Sequence, residues 1–149
     1  MRTHFLLAAA VAVALLLVAC APGANGELRT LVEEVAPVDG EMLECNWGTN
    51  WGGESGSYYG CSYVARGTTA KVAQTLIVEA AERGFTVTCR AGAREVELIG
   101  ARDATMLYAD VLARRLSDLD LPQGHVLVEV VAFEDDAGVQ EGRLCATPY

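Results

Sequence analysis

Basic residues are scarce in this 149-residue chain, which has 11 Lys and Arg against 20 Asp and Glu and a formal net charge of −9. Lys71 is its one lysine. Proteins that bind nucleic acid attract the phosphates with clustered positive charge. The acidic balance therefore predicts a protein that has no nucleic-acid partner.

The sequence also has few of the side chains that perform catalysis or hold metals. It contains two histidines, His4 and His125, and no Cys-x-x-Cys, P-loop or dinucleotide-binding glycine motif. Zinc sites use closely spaced Cys or His residues, and calcium loops use regularly spaced oxygen ligands. We therefore expect no metal, no cofactor and no catalytic residues. The alternative is a small secreted, hydrolase-like enzyme with His125 as its general base.

The chain begins with an apolar run behind a single positive charge. Arg2 precedes residues 5–19, which are almost wholly apolar, and this run is shorter than the ~20 residues that a spanning helix needs. A charged start, an apolar segment and small residues at its end are typical of a cleavable secretory signal. The run therefore predicts an exported protein.

The end of the run, Leu17-Val18-Ala19-Cys20, resembles the lipobox of bacterial lipoproteins at all four positions. This resemblance covers residues 1–20 and implies nothing about the domain behind them. It implies cleavage before Cys20 and a diacylglyceryl group on the Cys20 thiol. Two fatty chains hold a protein stably at a bilayer, where one chain binds marginally. The resemblance thus implies a lipid anchor at the extracytoplasmic face of the cell membrane.

The implied anchor divides the chain into three parts. Residues 1–19 are the signal peptide, and residues 20–26 are the lipidated cysteine and a short tether that contains Pro and Gly. Residues 27–149 then form a single domain. Because a tether of this length reaches at most about 20 Å, we expect the domain to lie close to the membrane.

Hydrophobic periodicity in the domain predicts an α+β fold. Apolar residues at helical spacing predict a helix that starts at Thr68 or Thr69 and another that Asp103 caps, with Leu107 and Val111 on its inner face. A shorter helix and a short strand precede them, at residues 27–35 and 41–47. Alternating or continuous apolar stretches predict the main strands, at residues 57–65, 85–89, 95–98 and 126–133.

The resulting order, β-α-β-β-α-β, is similar to that of ferredoxin-like folds, which are two-layer sandwiches. Both helices would cover one face of a four-stranded antiparallel sheet. The opposite face would carry the polar residues Thr86, Thr88, Glu95 and Glu97. This similarity of pattern implies no function.

Four cysteines remain for the domain: Cys45, Cys61, Cys89 and Cys145. An even number in an exported protein predicts disulfides, here two. In a ferredoxin-like sheet the strands of Cys61 and Cys89 lie about 9.5 Å apart, beyond the ~7 Å that a disulfide spans between Cα atoms. We therefore favour Cys45–Cys61 with Cys89–Cys145. The pairing Cys45–Cys89 with Cys61–Cys145 stays open.

Aromatic residues concentrate in one segment. Both tryptophans and three of the five tyrosines fall within 17 residues, namely Trp47, Trp51, Tyr58, Tyr59 and Tyr63. Their flat apolar faces and polar atoms suit contact with sugar rings or with a protein. The segment is therefore either a binding surface, for cell-wall glycan or another envelope protein, or a lid that folds back over the sheet. The sequence as a whole predicts a non-catalytic binding or structural lipoprotein of the cell envelope.

Overall fold

The computed structural model describes residues 24–49, 56–92, 95–113 and 119–134. These residues form two helices and six strands in the order α-β-β-α-β-β-β-β. The elements are α1 (Ala24–Val35), β1 (Glu41–Thr49), β2 (Ser57–Arg66), α2 (Thr69–Glu82), β3 (Thr86–Ala91), β4 (Glu95–Arg102), β5 (Thr105–Ala113) and β6 (His125–Glu134).

The six strands make one antiparallel sheet in the order β1-β2-β6-β5-β4-β3. Both helices pack on the same face of it, α1 mainly against β2 and β6, and α2 against β3, β4 and β5. We call the other face the open face, because neither helix covers it. Strands β1 and β3 are the two edges of the sheet.

The main core lies between the helices and the sheet. Its largest fully buried side chains, each less than 2 % exposed, are Val32, Val35, Leu76, Val111, Val128 and Val130. Full burial of such a side chain contributes roughly 1.5–3 kcal/mol. The sandwich of one helical layer on one sheet is therefore what stabilises the domain.

Helix α2 forms as the sequence predicts. The Oγ1 atom of Thr68, the N-cap residue, accepts a hydrogen bond from the backbone N–H of Lys71 at 3.2 Å. Gly84 follows the helix with φ at +82°, a left-handed conformation that favours glycine. None of the helices in the described part of the chain is long and apolar enough to span a membrane.

The ferredoxin-like prediction is wrong, because the residues predicted as the second long helix form strand β5. Leu107 and Val111 are spaced by four residues, and this spacing places two side chains on one face in a helix and also in a strand. Ala109 between them is buried as well, so the inward side alternates with a period of two. With β5 in the middle and β1 at the edge, the sheet has six strands rather than four.

The predicted helix cap at Asp103 is a hairpin turn instead. Arg102 pairs with Thr105, so Asp103 and Ala104 form a two-residue loop between β4 and β5. Asp103 has φ at +51°, which Asp adopts more readily than most residues. Asp103, which the sequence suggests as a helix N-cap, is therefore the first residue of a hairpin turn.

The N-terminal boundary differs as well. Helix α1 begins at Ala24 and not at residue 27, so the end of the predicted tether is helical. Leu28, Leu31, Val32 and Val35 form its buried side. Residues 24–26 of the predicted tether, 20–26, therefore belong to the helix.

The open face combines polar and apolar regions. Thr86, Thr88, Glu95 and Glu97 lie on it, since their neighbours Val87, Val96 and Leu98 point to the helices. The open face also carries an apolar cluster of Ala101, Met106 and Phe133, which are buried.

The disulfide Cys45–Cys61 is confirmed and joins β1 to β2 at directly opposed positions, with the Cα atoms 4.1 Å apart. It is the one complete disulfide among the described residues, where two were predicted. Cys89 is also disulfide-bonded. Cys145 lies outside the described residues, so the pair Cys89–Cys145 stays a prediction.

The strands of Cys61 and Cys89 are not two places apart, as they would be in a ferredoxin-like sheet. Three strands, β6, β5 and β4, separate β2 from β3. Four inter-strand steps correspond to about 19 Å, so this pair is farther apart than the ferredoxin-like arrangement would place it.

Candidate functional site

Strand β1 is an edge strand whose side chains are nearly all exposed. Most strands bury one face, but β1 extends beyond the helices, whose main contacts are with β2 to β6. Trp47, Met42 and Leu43 are 69 %, 58 % and 44 % exposed. Strand β1 adds little to the core. A contribution to folding stability therefore does not explain its exposed apolar side chains.

The disulfide also reveals which backbone groups of β1 face outward. Directly opposed residues of antiparallel strands lie about 4.5 Å apart where no backbone hydrogen bonds join them and about 5.5 Å where such bonds do. The 4.1 Å separation of Cys45 and Cys61 indicates the first kind of pair. The N–H and C=O groups of Cys45 therefore point away from β2, and by alternation so do those of Trp47 and Thr49.

The two halves of β1 differ in how open they are to another strand. Glu41 and Glu44 lie in its first half, and the pairing with β2 is irregular between Met42 and Glu44. Charges and bulges of this kind hinder pairing at a sheet edge. Residues 45–49, which we call the neutral edge, carry neither feature. Trp47 lies at the centre of the neutral edge.

The five aromatic residues of the predicted surface are divided among different places. Tyr59 lies directly across from Trp47 on the helix side of the sheet and is partly buried. Tyr63 is a core residue, 5 % exposed, and Tyr58 lies on the open face beside the apolar cluster. Trp51 lies outside the described residues.

The exposure of Trp47 bears on the lid that the sequence left as an alternative. A lid would place the indole against the sheet, whereas Trp47 is 69 % exposed. Among the described aromatic residues on the helix side of the sheet, Trp47 is therefore exposed enough to meet a partner.

His125, the candidate general base, begins β6 opposite Arg66. Its Nδ1 atom lies 3.1 Å from the carbonyl oxygen of Gln123. Among the described residues its polar contact is thus to the backbone and not to a carboxylate. The described segments also contain no group of three or more His, Cys, Asp or Glu residues suited to a metal ion.

No family model, curated protein or solved structure matches the chain. The function must therefore be argued from the chain's own residues and geometry.

A cavity of about 320 Å³ is lined by α1, by Arg83 after α2 and by Arg102 at the end of β4, and both arginines already have partners. Arg83 contacts Glu79 at 2.7 Å and Glu34 at 3.3 Å, and the hydrogen bond to Glu79 is the main reason why the pKa of Arg83 is raised. Arg102 donates to the Arg83 carbonyl at 2.8 Å and lies 4.6 Å above the ring of Phe85. These contacts tie α1, α2 and β4 together and indicate a structural role.

The open face carries an acidic row that sequence reasoning missed. Glu97, Asp110 and Glu129 are directly opposed on β4, β5 and β6, and the row continues through Ser62 on β2 to Glu44 on β1. Glu97 is the member nearest to a basic residue, since Arg90 opposes it on β3. The row lies on the opposite side of the sheet from Trp47.

Asp110 is the most perturbed member of the acidic row. Burial is the largest cause that raises its pKa, from 3.8 to about 6, and repulsion by Glu95 adds to it. The Tyr108 hydroxyl donates a hydrogen bond to Oδ2 at 3.2 Å, which lowers the pKa. The Oδ1 atom is buried and has no hydrogen-bond partner within the described residues. The protonated form of Asp110 is consequently favoured by folding.

Proposed function

We propose that the mature chain is a lipid-anchored protein on the extracytoplasmic face of a cell membrane and that it binds an extended segment of another envelope protein along β1. The observation that carries this proposal is the position of Trp47, exposed at the centre of the neutral edge. The Leu17–Cys20 motif supports the anchor.

An extended polypeptide is the partner that suits a free strand edge. The outward N–H and C=O groups of Cys45, Trp47 and Thr49 can continue the sheet's hydrogen bonding into an added strand. Each such bond adds about 0.5–1.5 kcal/mol net, and a Trp side chain in contact is often among the strongest contributors to an interface. A glycan could stack on Trp47, but its hydroxyls do not repeat at the spacing of the N–H and C=O groups along a strand edge.

The disulfide supports the same proposal. Cys45–Cys61 fixes the neutral edge to β2, so its backbone groups are already in an extended, aligned conformation before binding. A binding surface that is ordered in advance loses less conformational entropy when the partner arrives. A disulfide at this position thus favours binding by strand addition.

Cross-linking in cells tests the binding. A photoreactive phenylalanine derivative in place of Trp47 keeps an aromatic ring at this position and should attach to a protein, and Thr49→Pro should abolish the attachment because proline lacks the outward N–H. Thr49→Ala is the matched control, since it loses the same side chain and keeps the N–H. Equal attachment in the two variants would contradict strand addition. A product that cell-wall hydrolases degrade and proteases do not would identify a glycan instead.

The anchor is tested separately by the mass of the protein isolated from cells. We expect a chain that begins at Cys20 and carries a diacylglyceryl group, and we expect Cys20→Ser to prevent that modification. A mature chain without acyl groups would contradict the anchor and leave the cross-linking result unaffected.

A further inference from the structure

The open face contains a shallow cavity of about 190 Å³ that spans β1, β2, β6 and β5. We call it the open-face niche. The side chains and backbone that matter for its chemistry are Glu44, Asn46, Tyr58, Gly60, Tyr108 and Glu129. The niche lies on the opposite side of the sheet from Trp47 and shares Asn46 with the neutral edge, and its proposed ligand goes beyond the proposed function.

Gly60 makes the floor of the niche. A Cβ atom at this position would lie 2.9 Å from Cγ2 of Val131 and 3.4 Å from Oδ1 of Asn46. Any larger residue would therefore fill the depression. Cavities that take drug-sized ligands measure about 300–1,000 Å³, so the niche has room for one functional group and not for a large molecule.

Two carboxylates flank the niche. Glu44 and Glu129 are both opposed to Ser62, one on each side of it, which places their Cα atoms about 10 Å apart. Neither forms a salt bridge within the described residues, and none of the described lining residues is Lys or Arg. Asp110 lies next to Glu129 and adds to the negative potential.

Two tyrosine rings complete the lining. Tyr58 lies over Gly48, where an added Cβ would come within 2.9 Å of its ring, and Tyr108 lines the β5 side. The face of an aromatic ring attracts a cation by about 0.5–2 kcal/mol. Asn46 offers an amide oxygen as a further acceptor.

We infer that the open-face niche binds an organic cation, namely the ammonium or guanidinium group of a Lys or Arg side chain on a polypeptide. Flanking carboxylates, tyrosine side chains and an amide oxygen match the hydrogen-bond donors and the charge of such a group. A divalent metal ion would need several oxygen ligands that converge on one point. The described residues offer no cluster suited to one.

The test is an NMR titration of the intact mature chain in non-ionic detergent. N-acetyl-lysine methylamide and N-acetyl-arginine methylamide should shift the backbone amides of Gly60 and Ser62 with a Kd on the order of 1 mM. The uncharged N-acetyl-norleucine methylamide should leave them in place. A diaminoalkane that binds about tenfold more tightly would overturn the polypeptide source and assign a free amine to the niche.

Variants identify the groups that bind. Glu129→Gln should weaken binding roughly fivefold, whereas Glu82→Gln, which removes the same charge from the exposed side of α2, should change it less than about twofold. Tyr58→Phe keeps the ring and should bind normally, and Tyr58→Leu should bind more weakly.

Three further results would overturn the inference. The first is binding of the norleucine compound as tight as that of the lysine compound. The second is an equal loss in Glu82→Gln and Glu129→Gln, which would indicate net charge alone. The third is saturation of the same amides by Ca²⁺ at lower concentrations than the lysine compound requires.

Discussion

Replacement of Asp110 by Asn should stabilise the protein at neutral pH and not at acidic pH. Burial, and secondarily repulsion by Glu95, raises the pKa of this carboxyl from 3.8 to about 6 in the folded chain. Folding therefore favours its protonated form. The protonated carboxyl therefore stabilises the folded chain in full at pH values below the pKa of Asp110 in the unfolded chain. This stabilisation is lost as the pH rises through about 6, the pKa in the folded chain.

The magnitude follows from the two pKa values. Their difference corresponds to roughly 3 kcal/mol of free energy, because each pKa unit corresponds to about 1.4 kcal/mol. Asp110 is half-buried, so solvent screening reduces this to about 1–1.5 kcal/mol. Asn removes the charge and can still accept the hydrogen bond from Tyr108. We expect Asp110→Asn to be more stable by that amount at about pH 7.5 and equal to the native chain at about pH 3.5.

Urea unfolding at several pH values measures the effect. Asp39→Asn is the matched control, since it removes the same group from an exposed turn and should change the free energy of unfolding by less than about 0.5 kcal/mol. The reasoning fails if Asp110→Asn is no more stable at neutral pH. It fails equally if the gain is the same at every pH, because the gain would then not come from ionisation.

Three further predictions test the fold and the edge strand. Replacement of both Cys45 and Cys61 by Ser should lower the free energy of unfolding, measured with urea, by about 3 kcal/mol. A loss below about 0.5 kcal/mol would contradict a stabilising role of the disulfide. Trp47→Ala should cost less than about 0.5 kcal/mol in stability and abolish cross-linking from a photoreactive residue at Thr49; a large loss of stability would indicate a lid. Asp103→Val should destabilise the chain by about 1–3 kcal/mol and Asp103→Gly should not, whereas a helix cap at this position would make both variants costly.

Local sequence patterns predict most elements of this fold, because the residues within and beside each element carry its hydrophobic periodicity and its capping signals. Thr68 and Gly84 delimit α2, and alternation identifies most of the strands. The sequence does not predict strand β5, because the four-residue spacing of Leu107 and Val111 fits both a helix and a strand. Asp103 adds to the ambiguity, since Asp is common both at helix N-caps and in turns. That one ambiguity changes the whole topology.

The candidate sites depend on contacts that no local pattern encodes. Aromatic clustering draws attention to Trp47, but its exposure follows from the place of β1 at the edge of the sheet. The acidic row and the niche need the register of five strands, which brings Glu44, Asp110 and Glu129 together from distant parts of the sequence. Once the strand order is known, the alternation of each strand is enough to find them.

Hydrogen exchange at the neutral edge tests the central claim most directly. The backbone amides of Cys45, Trp47 and Thr49 point away from β2 and are accessible in the isolated chain. If a partner strand adds to β1, these amides should exchange at least about tenfold more slowly in native membranes than after purification, and those of exposed α2 residues should not change. Equal exchange of the three amides in both preparations would contradict the proposed binding mode.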